Sequence, residues 1–589
     1  MATLQQAGAS NTEIFYRSCP YYAKIFGILA VGSLFAGCST NSASRSIALV
    51  TSMGGRNSKH QQHQHLSSSH HGKAAAVTTT VMAVPQEPAK AYEALCERLK
   101  EISSLHGVCG LLDWDEMVMM PPGAAGSRGA QKAVLAGVLY DKETDPQLGA
   151  LLDVLKAAPG GSLDEVQAAV VRDAARDYVK RTALPKELAQ RIAKLKTEAY
   201  AAWVKAKTES DFSIFVPFLK QWIEISKEKA RLIDPTKPVY DVLLDDYEKG
   251  ASSARLDEVF TQVREGLVPL IAAIKSRGTK IDSSWMTGDF DTEKQAELCK
   301  QVAIDLGFDT SHGRLDVSVH PFTGGAHPTD VRMTTRFKKD NLVEGLTGAI
   351  HETGHALYEQ GRNLEYDGLP VNSALSMGVH ESQSLLWERM VGLSRPFAAY
   401  LVPLLKARFP ETFGSVVPEQ LYEAENVIQE PSLIRVEADE VTYPLHIILR
   451  YELEKGLLEG SIAVEDVPRI WNERMTSDLG ATPPDDSKGC LQDIHWSMGA
   501  LGYFPTYTLG AMYATQIYAA AKKDLPDLED LIRAGDFKPL KSWLNEKIHK
   551  LGSLHNSGDE LMTAATGGPL NPAVFLDYLK TKYTDLYKL

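Results

Sequence analysis

Hydrophobic residues recur at helical spacing through most of the chain. The first seven segments with apolar positions three and four residues apart, each bounded by Gly, Pro or Asp, are residues 89–112, 128–141, 163–181, 185–207, 211–233, 256–277 and 292–306. This spacing predicts amphipathic helices, and the polar stretches between them predict loops. The pattern therefore predicts a mainly α-helical protein, and a length of 589 residues favours a two-lobed body.

One region departs from the helical pattern. Residues 314–322 (RLDVSVHPF) and 331–337 (VRMTTRF) alternate with period two and are joined by a Gly/Pro-rich stretch, which predicts a short β-hairpin. Alternation places Arg332 and Thr334 on one face and Met333 on the other. The polar face either binds an extended substrate main chain by strand addition or is the solvated face of an edge strand.

The segment after this hairpin, residues 341–361, contains His-Glu-x-x-His from His351 to His355. Apolar residues at helical spacing lead into the motif, so the two histidines share a helical face. Two imidazoles one turn apart can hold one zinc ion, and Glu352 beside them can act as a general base toward water. Gly354 costs a helix about 1 kcal/mol relative to alanine, which predicts that another segment packs closely against the backbone there.

A third ligand is available in residues 379–383 (VHESQ), where a second apolar-periodic run begins. Its Glu381 lies twenty-six residues after His355. Two histidines and one carboxylate leave a fourth coordination position open, which is typical of a catalytic rather than a structural zinc site. Cobalt or manganese would also fit these ligands, since metal availability decides as much as affinity.

Two later segments carry further candidates. In residues 434–440 (IRVEADE), Arg435 and Asp439 are one helical turn apart, so the arginine either forms an intrahelical ion pair or offers its fork of donors to a carboxylate. In residues 489–496 (GCLQDIHW), Gln492 and His495 share a face if the segment is helical. His495 would then be a candidate donor to an oxyanion or a substrate carbonyl.

The first 86 residues differ in composition from the rest. They contain six Lys or Arg and one acidic residue, Glu13, so the remaining chain carries a net charge of −18. Ser-rich, acid-poor composition predicts a disordered transit peptide over residues 1–86, followed by a catalytic domain over residues 87–589. We expect an organelle, a chloroplast rather than a mitochondrion. The apolar run at residues 25–37 is too short to span a bilayer and leaves secretion as the alternative.

Composition also argues against several other classes of protein. Six cysteines without framework spacing favour a reducing compartment and provide no motif for a cysteine nucleophile. The acidic body, with dispersed basic residues, argues against nucleic-acid binding. We expect neither nucleic acid nor a membrane as a partner.

Five motifs in this order and spacing carry a family resemblance: DVRMT at 330–334, HETGH at 351–355, HESQ at 380–383, IRVEADE at 434–440 and GCLQDIHW at 489–496. Together they resemble the signature motifs of the thermostable carboxypeptidase family typified by carboxypeptidase Taq. The resemblance covers roughly residues 88–589 and includes LDWDEMVMMPPGAAGSRGAQ near its start and YDVLLDDYEKG at residues 240–250.

The resemblance implies a metal-dependent carboxypeptidase with a two-lobed helical fold around a long groove. It also implies a homodimer, peptide substrates with a free C-terminus, broad specificity and poor release of proline. By motif, the metal ligands are His351, His355 and Glu381, and the general base is Glu352. Arg435 would anchor the substrate carboxylate. The other implied site residues are Arg332, His320, Tyr443, Gln492 and His495, with His495 or Tyr443 holding the oxyanion.

Two other functions remain open at this point. A zinc oligoendopeptidase of similar helical fold would lack an arginine that anchors a terminal carboxylate. A helical scaffold with a vestigial metal site would have no need for Glu352 as a general base.

Overall fold

The structure is a computed structural model that describes residues 84–428 and 430–589. Nine α-helices precede a small sheet in the described part: α1 Pro88–Val118, α2 Ala125–Glu143, α3 Pro146–Lys156, α4 Glu165–Thr182, α5 Lys186–Glu209, α6 Val216–Ile233, α7 Val239–Leu244, α8 Ser253–Arg277 and α9 Thr292–Asp305. The helices after the sheet are α10 Leu342–Gln360, α11 Met377–Leu385, α12 Arg395–Arg408, α13 Pro410–Phe413, α14 Pro418–Glu425, α15 Tyr443–Glu459, α16 Val467–Arg474, α17 Pro505–Asp524, α18 Leu528–Ala534, α19 Lys538–Lys547, α20 Gly558–Thr566 and α21 Pro572–Tyr587.

These helices confirm the prediction of a mainly α-helical protein, and their ends follow from local capping. Asp164 forms a capping box with Gln167 at the start of α4. Ser252 and Asp291 accept hydrogen bonds from the first backbone amides of α8 and α9. A π-helical segment, Leu386–Gly392, continues α11.

The sheet differs from the predicted hairpin. It has three strands, β1 Gly313–Val317, β2 Thr323–His327 and β3 Asp330–Thr335, in the order β1-β3-β2. The two segments predicted to form the hairpin pair in parallel as β1 and β3, and the antiparallel hairpin is formed by β2 and β3. The prediction was wrong in pairing because β2 lies within the Gly/Pro-rich stretch that was interpreted as a turn.

Strand β3 is central, so neither use proposed for an edge strand applies to it. Its predicted faces are confirmed on the apolar side, where Val331 and Met333 are buried against Ala356 of α10. The free edge of β2 is covered by α1. A Cβ on Gly107 would lie 2.5 Å from the carbonyl oxygen of Ala326, so helix and strand backbones are in direct contact there.

Two large hydrophobic cores stabilise the described part of the fold, beside the small cluster around Met333 on the sheet. The minor core joins α1, α3 and α4, with Leu95, Leu152 and Val170 at its centre. The major core extends from α5 to the C-terminal helix α21 and includes α10 and α11. The metal-binding motif predicted from the sequence therefore lies on helices of the major core.

The predicted boundary at residue 86 lies close to the start of α1, and Val84 just before it packs against the minor core. The predicted transit peptide, the His/Gln/Ser-rich stretch and the apolar run at residues 25–37 lie outside the described residues. Within the described part, no helix combines the length and the hydrophobicity needed to cross a bilayer.

Candidate metal centre

Helices α10 and α11 lie in direct backbone contact at Gly354. A Cβ at this position would lie 2.5 Å from the carbonyl oxygen of Gln383 and 2.6 Å from the Cα of Ser384. This confirms the predicted close approach at Gly354. The absence of a side chain lets the two helices place His351, His355 and Glu381 at the same point.

The start of α11 is fixed by buried polar groups. Ser376 caps the helix by accepting a hydrogen bond from the amide of Val379. Glu248, which is fully buried, accepts hydrogen bonds from the Ser376 hydroxyl at 2.9 Å and the Gly378 amide at 3.0 Å. A Cβ on Gly510 of α17 would lie 2.9 Å from the Cβ of Glu381, so α17 restrains this side chain from the other side.

The three predicted metal ligands converge. One ligand atom from each of His351, His355 and Glu381 lies within 4.8 Å of the other two. His355 Nε2 is 3.4 Å from Glu381 Oε2, and His351 Nε2 is 3.9 Å from the same oxygen. The set has the donor types and the number of protein ligands of a catalytic zinc site.

The second nitrogen of each histidine is bound by the protein. His351 Nδ1 is 2.6 Å from Glu388 Oε2, and His355 Nδ1 is 2.6 Å from His380 Nδ1. His380 Nε2 is in turn 2.9 Å from Glu359 Oε1. These contacts direct Nε2 of both histidines at the cluster, as outer partners of metal ligands do.

His355 Nε2 provides the test of whether a metal fits. This nitrogen is inaccessible to solvent and forms no hydrogen bond with any described residue. Burial lowers the pKa of His355 to about 3, so the ring is neutral and Nε2 carries a lone pair. A buried, unpartnered lone pair that faces a carboxylate fits a metal ion.

The charges of the cluster also favour a cation. Burial opposes ionisation of Glu381, but the positive charges of His351 and Arg389 favour it, and its pKa is lowered to about 2. Burial of His351 is likewise outweighed, by Glu388 and Glu381, and its pKa is raised to about 9. A divalent cation would compete with the proton on His351, so metal binding to this cluster releases a proton.

Glu352 lies beside the cluster and is 5% exposed. Its Oε2 accepts a hydrogen bond from Thr323 Oγ1 at 2.7 Å, which fixes the carboxyl between β2 and α10. Burial raises the pKa of Glu352 to about 7. A carboxyl with this pKa can accept and return a proton near neutral pH.

A second polar cluster is centred on Asp493. Arg435 directs Nε and Nη2 at Asp493 Oδ1, each at 2.9 Å, and Arg450 binds Oδ2 at 2.6 Å. Arg435 lies in a short 3₁₀ turn, and Asp439 accepts hydrogen bonds from the amides of residues 441 and 442. Of the two roles predicted for Arg435, the structure shows its fork of donors bound to a carboxylate. This carboxylate is the side chain of Asp493 and not a substrate.

Three other predicted site residues join this second cluster. Tyr443 accepts a hydrogen bond from Arg435 Nη1 at 3.2 Å, and burial raises the Tyr443 pKa to about 12, with Glu381 among the charges that act on it. The Gln492 side chain accepts from the Arg435 amide and donates to backbone carbonyls. His495 Nδ1 is 3.9 Å from Asp493 Oδ1, and burial lowers the His495 pKa to about 3.

The remaining two predicted residues lie on or beside the sheet. Arg332 pairs with Asp330 at 2.8 Å and stacks on the Trp114 ring, with its guanidinium carbon 4.3 Å from the ring centre. His320 lies between β1 and β2, and burial lowers its pKa to about 4. Arg332 is thus placed against α1, while His320 is buried near β2.

The structure adds residues that the sequence did not single out. The outer partners Glu388, His380 and Glu359 belong to this group, as do Thr323, Asp493 and Arg389. Glu388 follows Glu381 by seven residues, two helical turns, and this spacing is a signal that predicts a shared face. The roles of Thr323 and Asp493 depend on contacts between distant segments.

Most of the chain matches one known protein family. The family model described as carboxypeptidase Taq (M32) metallopeptidase matches residues 94–583. This chain belongs to that family. Carboxypeptidase 1 of Bacillus subtilis (strain 168) is 38% identical over 491 residues, which cover 83% of this chain and 97% of that protein. Thermostable carboxypeptidase 1 of Thermus thermophilus is 38% identical over 510 residues, 85% of this chain and 99% of that protein.

Solved structures of the M32 family share the fold. The M32 carboxypeptidase from Deinococcus radiodurans R1 superposes with a TM-score of 0.81 at 36% identity, over 85% of this chain and all of that chain. A Pyrococcus furiosus carboxypeptidase gives a TM-score of 0.80 at 32% identity, over 84% of this chain and 99% of that one. The protein is therefore an M32 metallocarboxypeptidase, an enzyme that uses a divalent metal and acts on peptides.

Proposed function

We propose that this M32 enzyme is a zinc carboxypeptidase that removes C-terminal residues one at a time from peptides, with broad specificity and poor release of proline. The observation that carries the proposal is His355 Nε2, which is buried, has no hydrogen bond to a described residue and faces Glu381. His351, His355 and Glu381 would hold the ion. Zinc suits two imidazoles and a carboxylate, and cobalt or manganese would also bind them.

A divalent ion held there supplies Lewis acidity, lowering the pKa of water toward about 7 and polarising the scissile carbonyl. Glu352 takes the proton of the attacking water and passes it to the leaving amine. Its burial and its raised pKa support this role, since a carboxyl with a pKa near 7 serves as base and then as acid. Thr323 holds the carboxyl in place at 2.7 Å.

Tyr443 and His495 would stabilise the oxyanion of the tetrahedral intermediate. The raised pKa keeps Tyr443 protonated, so its hydroxyl is a donor at neutral pH. His495 is neutral because of its lowered pKa, and a neutral imidazole still donates through one nitrogen. Both residues are buried, where a hydrogen bond to developing charge is stronger than in water.

Arg435 would anchor the terminal carboxylate of the substrate. Two guanidinium groups and one carboxylate, from Arg435, Arg450 and Asp493, leave one net positive charge in a buried site. Such a charge attracts a carboxylate and disfavours an amide. Gln492 would position Arg435 through the hydrogen bond to its backbone amide at 2.9 Å. Arg332 and His320 would lie farther along the bound peptide.

One observation favours a second function, an oligoendopeptidase. The fork of Arg435 is already bound by Asp493, so a peptide carboxylate would have to share this arginine. An enzyme that used Arg435 only to build the fold would cleave blocked and free peptides alike.

Cleavage of matched free-acid and C-terminally amidated peptides separates the two functions. Timed mass spectra should show a ladder of products shortened from the C-terminus, with the amide a poor substrate. Arg435→Ala should lower kcat/KM for the acid by at least about tenfold, since hydrogen bonds to charged groups contribute about 1.5–3 kcal/mol, and should affect the amide less. Equal cleavage of acid and amide by the wild type would favour the endopeptidase.

We also propose a homodimer. Exposed apolar side chains are concentrated on α1 and α2, including Val134 at 69% and Val108 at 47% exposure. Such side chains support a protein–protein contact in an otherwise acidic molecule. Sedimentation velocity should give twice the chain mass, and a monomer at micromolar concentration would contradict the proposal.

For the N-terminal segment we propose a transit peptide over residues 1–86 that directs the catalytic domain, residues 87–589, to a chloroplast. The proposal is supported by the basic, Ser-rich, acid-poor composition. A fluorescent reporter carrying residues 1–86 should enter the plastid, and its secretion would contradict the proposal.

A further inference from the structure

Arg389 is a buried cation that has no hydrogen-bond partner among the residues that the structure describes. It lies in the π-helical segment after α11 and is 8% exposed. No described residue accepts a hydrogen bond from its guanidinium group, and Nη1 is inaccessible to solvent. The nearest carboxylate oxygen in an ion pair is Glu388 Oε1, 4.0 Å from Nε. A buried guanidinium with unused donors costs free energy unless a ligand supplies the acceptors.

The carboxylates near Arg389 are each engaged elsewhere. Glu388 binds His351 Nδ1 at 2.6 Å. Glu440 accepts hydrogen bonds from Lys582 and from the Tyr583 hydroxyl. Glu381 belongs to the metal cluster. These three charges raise the pKa of Arg389 against the effect of its burial, so the guanidinium is charged while its donors stay unused.

Arg389 also lies next to the proposed carboxylate anchor. Its guanidinium carbon is 5.2 Å from the centre of the Tyr443 ring, and that of Arg435 is 6.0 Å from the same centre. The Tyr443 hydroxyl is bound by Arg435. Tyr443 therefore lies between two guanidinium groups: Arg435, which is bound to Asp493, and Arg389, which donates no hydrogen bond to any described residue.

We propose that Arg389 binds the terminal carboxylate of the peptide substrate and, with Arg435, sets the preference for a free C-terminus. The inference rests on the carboxypeptidase function proposed above and adds a second contact to it. Arg435 shares its fork with Asp493, whereas Arg389 offers several donors, a geometry suited to two carboxylate oxygens. The same carboxylate would satisfy the buried donors of Arg389.

The test compares Arg389→Gln and Arg389→Lys with the wild type on free-acid and amidated peptides. Arg389→Gln should lower kcat/KM for the acid by at least about tenfold, mainly through KM, because the anchor contacts substrate and transition state alike. The amide should change by less than about twofold. Arg389→Lys should recover part of the loss. The control is Arg469→Gln, which removes an exposed arginine and should leave both rates unchanged.

A binding measurement makes the result independent of turnover. Calorimetric titration of the metal-free protein with N-acetylphenylalanine and with its amide measures carboxylate binding alone. The wild type should bind the acid more tightly than the amide, and Arg389→Gln should remove most of this difference. If the glutamine variant does not fold, the weaker acid binding expected of Arg389→Lys decides the question.

The outcomes separate this inference from the proposed function. If the wild type cleaves acid and amide equally, the carboxypeptidase proposal fails. If the wild type prefers the acid and Arg389→Gln keeps the full preference, only the role of Arg389 is overturned. Equal damage to both substrates, or loss of bound metal, would likewise overturn it, because Arg389 would then support Glu388 and Glu381 rather than the substrate.

Discussion

Gly354→Ala should separate the metal ligands without changing any of them. The new Cβ would lie 2.5 Å from the carbonyl oxygen of Gln383 and 2.6 Å from the Cα of Ser384. Ordinary carbon contacts need about 3.5 Å, so α10 and α11 must move apart by about 1 Å. Because His351 and His355 move with α10 and Glu381 moves with α11, the distances from the two imidazoles to the carboxylate increase.

The expected effects are large for metal binding and modest for stability. Ligand distances in metal sites are held to about 0.2 Å, so an opening of about 1 Å should weaken metal binding by at least the 10- to 100-fold seen when outer partners of a site are lost. The added methyl group overpacks the contact between the two helices, which costs about 1–3 kcal/mol. The higher helix propensity of alanine offsets about 1 kcal/mol of this cost. The free energy of unfolding of the metal-free protein should therefore change by about 2 kcal/mol or less.

A competition titration with a metal-binding dye measures the affinity. Gly348→Ala on the same helix is the matched control, since its Cβ would lie 3.5 Å from Thr335 Oγ1, an ordinary contact. This control should bind metal as the wild type does and gain helix stability. Wild-type metal affinity in Gly354→Ala would refute the argument that this glycine sets the distance between the two helices.

Two further predictions concern buried histidines. Burial lowers the pKa of His549 to about 3, and an unfolded histidine titrates near 6.5, so His549 contributes stability above pH 6.5 that is lost as the pH falls toward 3. At pH 5 the loss relative to pH 7.5 is about 2 kcal/mol. Denaturant titrations at both pH values should therefore show His549→Gln, which lacks this buried imidazole, losing less stability than the wild type. If His549→Gln lost as much stability as the wild type between pH 7.5 and pH 5, both the direction and the magnitude of this effect would be contradicted. His380→Ala removes the partner of His355 Nδ1 and should weaken metal binding about 10- to 100-fold without changing the fold. Metal affinity equal to that of the wild type would exclude His380 as a group that orients His355.

Much of the metal centre could be predicted from the sequence because its ligands are close in the chain. Helical spacing alone puts His351 and His355 on one face, and Gly354 signals the helix that supplies Glu381. The partner of His355 could not be predicted, because the contact with His380 depends on how α10 and α11 cross. Asp493 lies fifty-eight residues after Arg435, and no local pattern connects them.

The sheet shows why the prediction of the hairpin failed. Gly324 and Gly325 favour a turn in any local interpretation. They belong instead to β2, which packs against Gly107 and Gly110 of α1 with almost no space between the backbones. These glycines allow close packing between segments more than two hundred residues apart. Such a contact produces no periodic pattern in the sequence, so it could not be predicted from the sequence.

The role of Glu352 is tested most directly by Glu352→Gln, assayed for bound metal and for peptide cleavage in the same preparation. The amide keeps the shape of the side chain but cannot accept the proton of water. We expect this variant to bind metal and to melt at a temperature close to that of the wild type, with kcat lowered by at least about 100-fold. Full turnover in this variant, with the metal in place, would contradict the assignment of Glu352 as the general base.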